Sequence, residues 1–259
     1  MADRTPPCRN QGRLNRAPGE AEAERSRRFQ AWRVESMTAK HVTAGMSEVS
    51  IPVGDDCIAG DLVIPAHARG IVLFAHGSGS SRHSTRNRFV AQELQKGGLA
   101  TLLMDLLTTA EERLDEATEG SLRFDIGLLA GRLETASDWV RANPSTHQLS
   151  IGYFGASTGA AAALVAAAAE WRGKVAAVVS RGGRPDLAKE ALSVVRAPTL
   201  LVVGGDDRVV LELNRQALAK LVCEKRLDIV SGATHLFEEP GALQQVAALA
   251  VDWFVRHLK

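Results

Sequence analysis

The chain has 259 residues, a hydrophobic content of 45% and a net charge of +1, which is enough apolar material for one large buried core. The balanced charge argues against a general affinity for nucleic acid or for acidic membranes, and no apolar run is long enough to span a bilayer. The three cysteines form no C-x-x-C pair, so we expect no metal site.

The beginning of the chain differs in composition from the rest. Residues 1–45 carry nine Lys or Arg against five Asp or Glu, with three prolines and few large apolar residues. This composition predicts a disordered basic extension, followed by one domain over residues 46–259. A start at Met37 or Met46 would give the compact domain alone. The extension lacks the apolar core of a secretory signal, and we therefore expect a cytoplasmic protein.

From residue 47 onward, strand-like and helix-like segments alternate. Short apolar runs predict strands over residues 49–53, 57–64, 71–75, 99–104, 151–154, 175–180, 199–203 and 227–230. Helices are predicted near residues 85–95, 122–142, 160–171, 187–194, 211–222 and 241–258. The first two strands form an antiparallel pair across a Gly54-Asp55-Asp56 turn. The pattern predicts the α/β class, with a mostly parallel central sheet of about eight strands and helices on both faces.

The segment Gly155-Ala156-Ser157-Thr158-Gly159 reads G-x-S-x-G and lies between a predicted strand and an alanine-rich predicted helix. Small residues around the serine let the backbone turn sharply, which leaves the serine oxygen exposed at the tip of the turn. This context indicates that Ser157 is a nucleophile. The same residues would also suit a turn that serves only close strand–helix packing.

A serine hydroxyl needs a base to remove its proton, and that base is usually a histidine held by a carboxylate. Asp206 and Asp207 follow the predicted strand 199–203, and His235 follows the strand 227–230. Because the carboxyl ends of parallel strands share one edge of a sheet, we expect the serine, one of these aspartates and the histidine to meet there. Taken singly, each aspartate could be a turn residue and His235 a helix cap.

Four segments carry a resemblance to a known family. They are Phe74-Ala75-His76-Gly77-Ser78-Gly79-Ser80, Gly155–Gly159, Gly204–Val210 and Gly232-Ala233-Thr234-His235-Leu236-Phe237. On these segments the chain resembles an α/β-hydrolase of the dienelactone-hydrolase-like branch, from about residue 46 to the end. The resemblance implies the α/β-hydrolase fold, and its G-x-x-D-x-x-V arrangement selects Asp207 rather than Asp206 as the partner of His235. Named dienelactone hydrolases use a cysteine nucleophile, whereas Ser157 favours serine-esterase chemistry.

The glycine-rich loop after the third strand has an expected role in the same reaction. When Ser157 attacks a carbonyl, negative charge develops on the carbonyl oxygen, and backbone N–H groups can stabilise it. We expect one donor to be the N–H of Thr158 and the other to be that of Gly77 or Ser78. Glycine lets such a loop aim its amides inward. A glycine-rich turn without this role is the alternative.

Two arginines are candidates for substrate binding. Arg181 and Arg184 belong to an R-G-G-R segment directly after the predicted strand 175–180. At the mouth of the site their guanidinium groups could pair with a substrate carboxylate. The alternative is that both face water. The short connection from residue 180 to residue 198 predicts an open pocket without a large lid.

These observations predict a serine hydrolase that cleaves small carboxylic esters, lactones or thioesters through an acyl-enzyme intermediate. No cofactor is expected, and the expected partner is a small-molecule ester bound by a monomer or homodimer. An acyltransferase or a cofactor-free perhydrolase with the same triad stays open, because exclusion of water depends on pocket shape. A non-catalytic binding module on this fold is the third possibility.

Overall fold

The computed structural model of the chain describes residues 45–118, 120–169 and 175–259. The predicted basic extension therefore lies outside the described residues, apart from its last position. The end of the predicted helix 160–171 lies outside them as well. Within the described part of the chain, no helix is both long enough and apolar enough to cross a membrane.

Eight strands form the central sheet, as the sequence predicts. They are β1 Ser47–Val53, β2 Asp56–Val63, β3 Gly70–Ala75, β4 Ala100–Met104, β5 Ser150–Ala156, β6 Val175–Arg181, β7 Thr199–Gly204 and β8 Lys225–Val230. Their order across the sheet is β1-β2-β4-β3-β5-β6-β7-β8. The pairs β1–β2 and β2–β4 are antiparallel, and all others are parallel. Strands β3, β4 and β7 are buried along their whole length, as expected for parallel strands covered on both faces.

Helices cover both faces of this sheet. They are α1 Thr85–Lys96, α2 Thr109–Ala117, α3 Ile126–Ala142, α4 Thr158–Ala169, α5 Arg208–Lys220 and α6 Ala242–His257. Helices α1 and α6 pack on one face, where Trp253 and Phe254 are among the largest buried side chains. Helices α3, α4 and α5 contribute to the core on the other face. The carboxyl ends of the parallel strands meet at one edge, where the candidate site lies.

Three segments differ from the sequence prediction. The sequence does not predict helix α2, because it has few apolar residues. Its Leu114 is exposed in the structure, and the capping box between Thr108 and Glu111 is the sequence signal that marks its start. The predicted helix 122–142 is divided, since Asp125 accepts from the Leu128 N–H and begins α3 after a 3₁₀ turn. The predicted helix 187–194 is a 3₁₀ segment, Pro185–Ser193, broken at Lys189.

Candidate active site

Ser157 is the single residue between the end of β5 and the start of α4. Its φ is +52°, in the left-handed region that residues with a side chain seldom adopt. Such a conformation costs about 1–3 kcal/mol and persists only where the surroundings enforce it. This strained strand-to-helix turn is the geometry that presents a nucleophilic side chain at the tip of a sheet.

The two glycines of the G-x-S-x-G segment are required by close packing. A Cβ on Gly155 would lie 2.4 Å from the Cα of Ala160, and one on Gly159 would lie 2.3 Å from the carbonyl oxygen of Ala75. No side chain fits at either distance. The glycines therefore let α4 start directly against β3 and β5, which fixes the turn at Ser157.

A histidine and an aspartate form a close pair at the ends of the neighbouring strands. His235 Nδ1 lies 2.6 Å from Asp207 Oδ2, and the Asp207 side chain is mostly buried. Because Asp207 engages Nδ1, Nε2 is the nitrogen of His235 that is left to accept a proton. Asp206 is exposed, and its N–H donates to the carbonyl of Ala233. Of the two aspartates, the structure therefore brings Asp207 to the histidine.

The segment at the end of β6 lies between this pair and Ser157. The Ser157 N–H donates to the carbonyl of Arg181 over 3.2 Å. A Cβ on the next residue, Gly182, would lie 3.1 Å from the carbonyl oxygen of His235 and 3.6 Å from its Nδ1. Arg181 and Gly182 are consecutive, so one short stretch of main chain lies beside both Ser157 and His235.

The glycine-rich loop after β3 lies directly against Ser157. A Cβ on Gly77 would be 3.1 Å from the Cβ of Ser157. The N–H of Thr158, the first residue of α4, has no acceptor within its helix. The Ser78 N–H donates to Thr158 Oγ1 over 2.9 Å, which differs from the expectation of a free amide. Ser78 would have to exchange this partner to bind an oxyanion, whereas no acceptor among the described residues engages the Gly77 N–H.

His76 holds the start of this loop in place. Its Nδ1 lies 3.0 Å from the carbonyl of Gly77, and its Nε2 accepts the N–H of Leu106 over 3.3 Å. Only the neutral ring with a proton on Nδ1 can make both bonds. Burial lowers the pKa of His76, against the opposing effects of the Gly77 carbonyl and the charge of Asp105, which favours this neutral form.

A cavity of about 350 Å³ opens beside the same loop. Its lining includes residues 76–80, the apolar side chains of Leu106, Leu107 and Leu129, and the acidic residues Glu112, Asp115 and Glu116 with Arg123. Asp115 pairs with Arg123, whereas Glu112 and Glu116 have no partner among the described residues. Burial, together with the charges of Asp105 and Glu116, raises the pKa of Glu112. Within the described ranges, no group of acidic, histidine or cysteine side chains is arranged to hold a metal ion.

The two arginines predicted to bind a substrate carboxylate have different surroundings in the structure. Arg181 is only 7% exposed, and its Nη2 makes a long contact of 3.5 Å with Asn87 Oδ1. Its Nε and Nη1 are buried without a partner among the described residues. Burial, with the charge of Arg86, lowers the pKa of Arg181 to about 10. Arg184 donates to both carboxylate oxygens of Asp186, at 2.9 and 2.8 Å, so its guanidinium is already engaged.

Comparison with solved structures supports the fold throughout. A dienelactone hydrolase from Anabaena variabilis is 59% identical, has a TM-score of 0.81, and is matched over 84% of this chain and 100% of its own. Est1E from Butyrivibrio proteoclasticus has a TM-score of 0.67 at 15% identity, and the match covers 81% of this chain and 98% of its own. A Pyrococcus furiosus esterase has a TM-score of 0.68 at 16% identity, and the match covers 86% of this chain and 97% of its own.

The chain is also similar to curated proteins and to one family model. Proteins from two strains of Mycobacterium tuberculosis, both named as phosphoribosyl transferases, are 59% identical over 211 residues, which is 82% of this chain and 46% of theirs. The chain thus spans about half the length of these relatives. The model of the dienelactone hydrolase family matches residues 58–258. With the sheet order and the structural neighbours, this match shows that the chain belongs to the dienelactone hydrolase family of α/β-hydrolases.

Proposed function

We propose that this protein is a serine hydrolase that cleaves small carboxylic esters, lactones or thioesters. The observation that carries the proposal is the strained Ser157 turn beside the His235–Asp207 pair, whose Nδ1···Oδ2 distance is 2.6 Å. Ester hydrolysis needs a nucleophile, a base and a group that orients the base, and these three residues have the chemistry for those roles.

In the proposed reaction, His235 Nε2 removes the Ser157 proton as Oγ attacks the carbonyl carbon of the substrate. The negative charge on the carbonyl oxygen is stabilised by the N–H of Thr158 and by an amide of the Gly77–Ser78 loop; each such donor contributes about 3 kcal/mol. His235 then returns the proton to the leaving oxygen or sulfur. Water attacks the acyl-enzyme with His235 again as base, which releases the acid and restores Ser157.

A transferase with the same residues would pass the acyl group to an acceptor other than water. The name of the curated relatives refers to phosphoribosyl transfer, and that name belongs to proteins of about twice this length. No contact among the described residues favours that chemistry over acyl transfer to water. We therefore place hydrolysis first.

Labelling with a fluorophosphonate tests the proposal, because this reagent reacts with an activated serine. We expect peptide mapping to place the label on Ser157, and a panel of short-chain esters to be hydrolysed. Ser157→Ala should abolish labelling and lower kcat by several orders of magnitude without loss of folding. Ser193→Ala, a change at an exposed serine, is the matched control. A labelled Ser157→Ala variant with wild-type activity would refute the assignment.

The alternatives give different results in the same assay. An acyltransferase would hydrolyse esters slowly and accelerate when an alcohol or thiol acceptor is added. A non-catalytic module would neither be labelled nor hydrolyse any ester. Product analysis with and without an acceptor separates these outcomes from simple hydrolysis.

A further inference from the structure

The segment Arg181-Gly182-Gly183-Arg184 (hereafter the 181–184 segment) surrounds the main chain of Ser157. Its first residue accepts the Ser157 N–H over 3.2 Å, and the N–H of its last residue donates to the Ser157 carbonyl over 3.0 Å. Both main-chain polar groups of the strained residue are thus bonded to one four-residue loop. A residue at a φ of +52° keeps that conformation only while its surroundings hold it.

The 181–184 segment is itself fixed by side chains and main chain around it. The Gly182 N–H donates to the carbonyl of Val202 in β7 over 2.8 Å. Asn214 of α5, which is fully buried, donates from Nδ2 to the carbonyl of Gly183 over 2.9 Å. Arg184 is held by its two bonds to Asp186. The loop is therefore attached to β7, to α5 and to the following 3₁₀ segment.

Little room remains for the loop to take another shape. A Cβ on Gly183 would lie 2.0 Å from Ser180 Oγ, and Gly182 has a φ of +51° with His235 directly beside it. Asn214 lies on α5, the helix that begins directly after Asp207. A shift of this loop would therefore reach the nucleophile through its hydrogen bonds and the histidine through packing.

We propose that Asn214 and the Arg184–Asp186 pair are positioning residues that hold the Ser157 backbone in its attacking geometry through the 181–184 segment. This inference rests on the proposed function, since it assigns these residues to the same nucleophile. It also gives the R-G-G-R segment a role other than binding a substrate carboxylate. None of the three side chains needs to touch the substrate.

Amide-to-acid substitution at Asn214 tests the role of its Nδ2 donor. Asn214→Asp keeps the side-chain size but replaces the donor to Gly183 by an oxygen. We expect kcat and the rate of fluorophosphonate labelling to fall on the order of 10- to 100-fold, because small misplacements of a reacting group are costly. KM should stay within about twofold, since substrate binding is not touched. Gln216→Glu makes the same chemical change at an exposed position of α5 and should have no effect.

A second variant keeps the proposal testable if Asn214→Asp does not fold. Asp186→Asn weakens the hold on Arg184 at a partly exposed pair and should lower kcat about 2- to 5-fold. Arg184→Lys should do the same, and the double variant should lose no more than either single one. Thermal unfolding is measured in parallel, because a purely structural role would lower Tm and leave the labelling rate of the folded protein unchanged.

The outcomes separate this inference from the function on which it rests. If the wild-type protein is not labelled at Ser157, the proposed function is refuted. A labelled wild type whose folded variants at Asn214, Arg184 and Asp186 all react at the wild-type rate would remove the positioning role alone. Slower labelling with an unchanged KM in the folded variants supports both.

Discussion

The two sides of Ser157 are built differently. Toward β6 and β7, Ser157 meets the 181–184 segment, where main-chain hydrogen bonds, the buried Asn214 and the Arg184–Asp186 pair leave little free space. Toward β3 and β4, it meets the Gly77 loop, and that loop in turn lines the cavity of about 350 Å³. That cavity is lined by both apolar and acidic side chains.

From this difference we expect the two sides to have different roles: one positions Ser157, and the other recognises the substrate. The tightly bonded side holds the strained serine and packs against the histidine, and changes there should act on kcat for every substrate. The cavity side has two glutamates without partners among the described residues, so changes there should alter which substrates are preferred. The predictions below test this division of roles.

The largest effect is expected at Asp207, which we propose orients His235. Asp207→Asn should lower kcat on the order of 10³- to 10⁴-fold, because an asparagine amide favours the wrong tautomer of His235. Asp206→Asn should have little effect, since the Asp206 side chain is exposed and takes no part in this hydrogen bond. Steady-state kinetics on one good ester compare the two variants. If Asp206→Asn were the more damaging change, the role assigned to Asp207 would be wrong.

Much of this arrangement is visible in the sequence, and the reasons are physical. Apolar runs separated by small and polar residues predict the eight strands, their alternation with helices and the sharp turn at Ser157. Helix α2 was missed because its nine residues offer no apolar stripe, so only its Thr108–Glu111 capping box marks it. The positions of Arg181 and Arg184 could not be predicted, because burial and pairing depend on which residues of distant segments meet them.

The hydrogen-bond partner of the Ser78 amide is another feature that the sequence does not predict. The sequence places it in the expected oxyanion loop, but its partner in the structure is the Thr158 hydroxyl, 80 positions further along the chain. The Asn214 contact with Gly183 spans 31 positions and had no signal in the sequence. The local sequence pattern predicts helices and strands and where they end. Hydrogen bonds between loops depend on tertiary packing, which that pattern does not show.

An intermediate effect is expected at the cavity. Glu112 and Glu116, which form no salt bridge with any described residue, should favour a cationic ester over a carboxylate-bearing one of equal size. Each should contribute roughly threefold to kcat/KM, as exposed charges do. The double variant Glu112→Gln/Glu116→Gln should lose this preference, while Glu190→Gln, an exposed change elsewhere, should keep it. The comparison uses kcat/KM for matched cationic, neutral and anionic esters at low salt.

The pH dependence of that preference has a defined sign. Burial first, and then the charges of Asp105 and Glu116, raise the pKa of Glu112, so this carboxyl gains its proton at a higher pH than an ordinary glutamate. The preference for the cationic ester should therefore weaken as the pH is lowered through that raised pKa. A preference that is constant over this range, or that persists in the double variant, would show that other groups recognise the charge.

The smallest effect on substrate preference is expected at Arg184. Arg184 is neutralised by Asp186, so Arg184→Ala should lower activity toward anionic and neutral esters equally and leave their ratio unchanged. Arg181 has two buried nitrogens without partners among the described residues, so of the two arginines it is the one with free donors that could bind a substrate carboxylate. If it does, Arg181→Met should reduce kcat/KM for anionic esters about tenfold relative to neutral ones, as the loss of a charged hydrogen bond does. An unchanged ratio in Arg181→Met would assign Arg181 to the positioning side, together with the rest of the 181–184 segment, and would leave the cavity glutamates as the groups that sort substrates by charge.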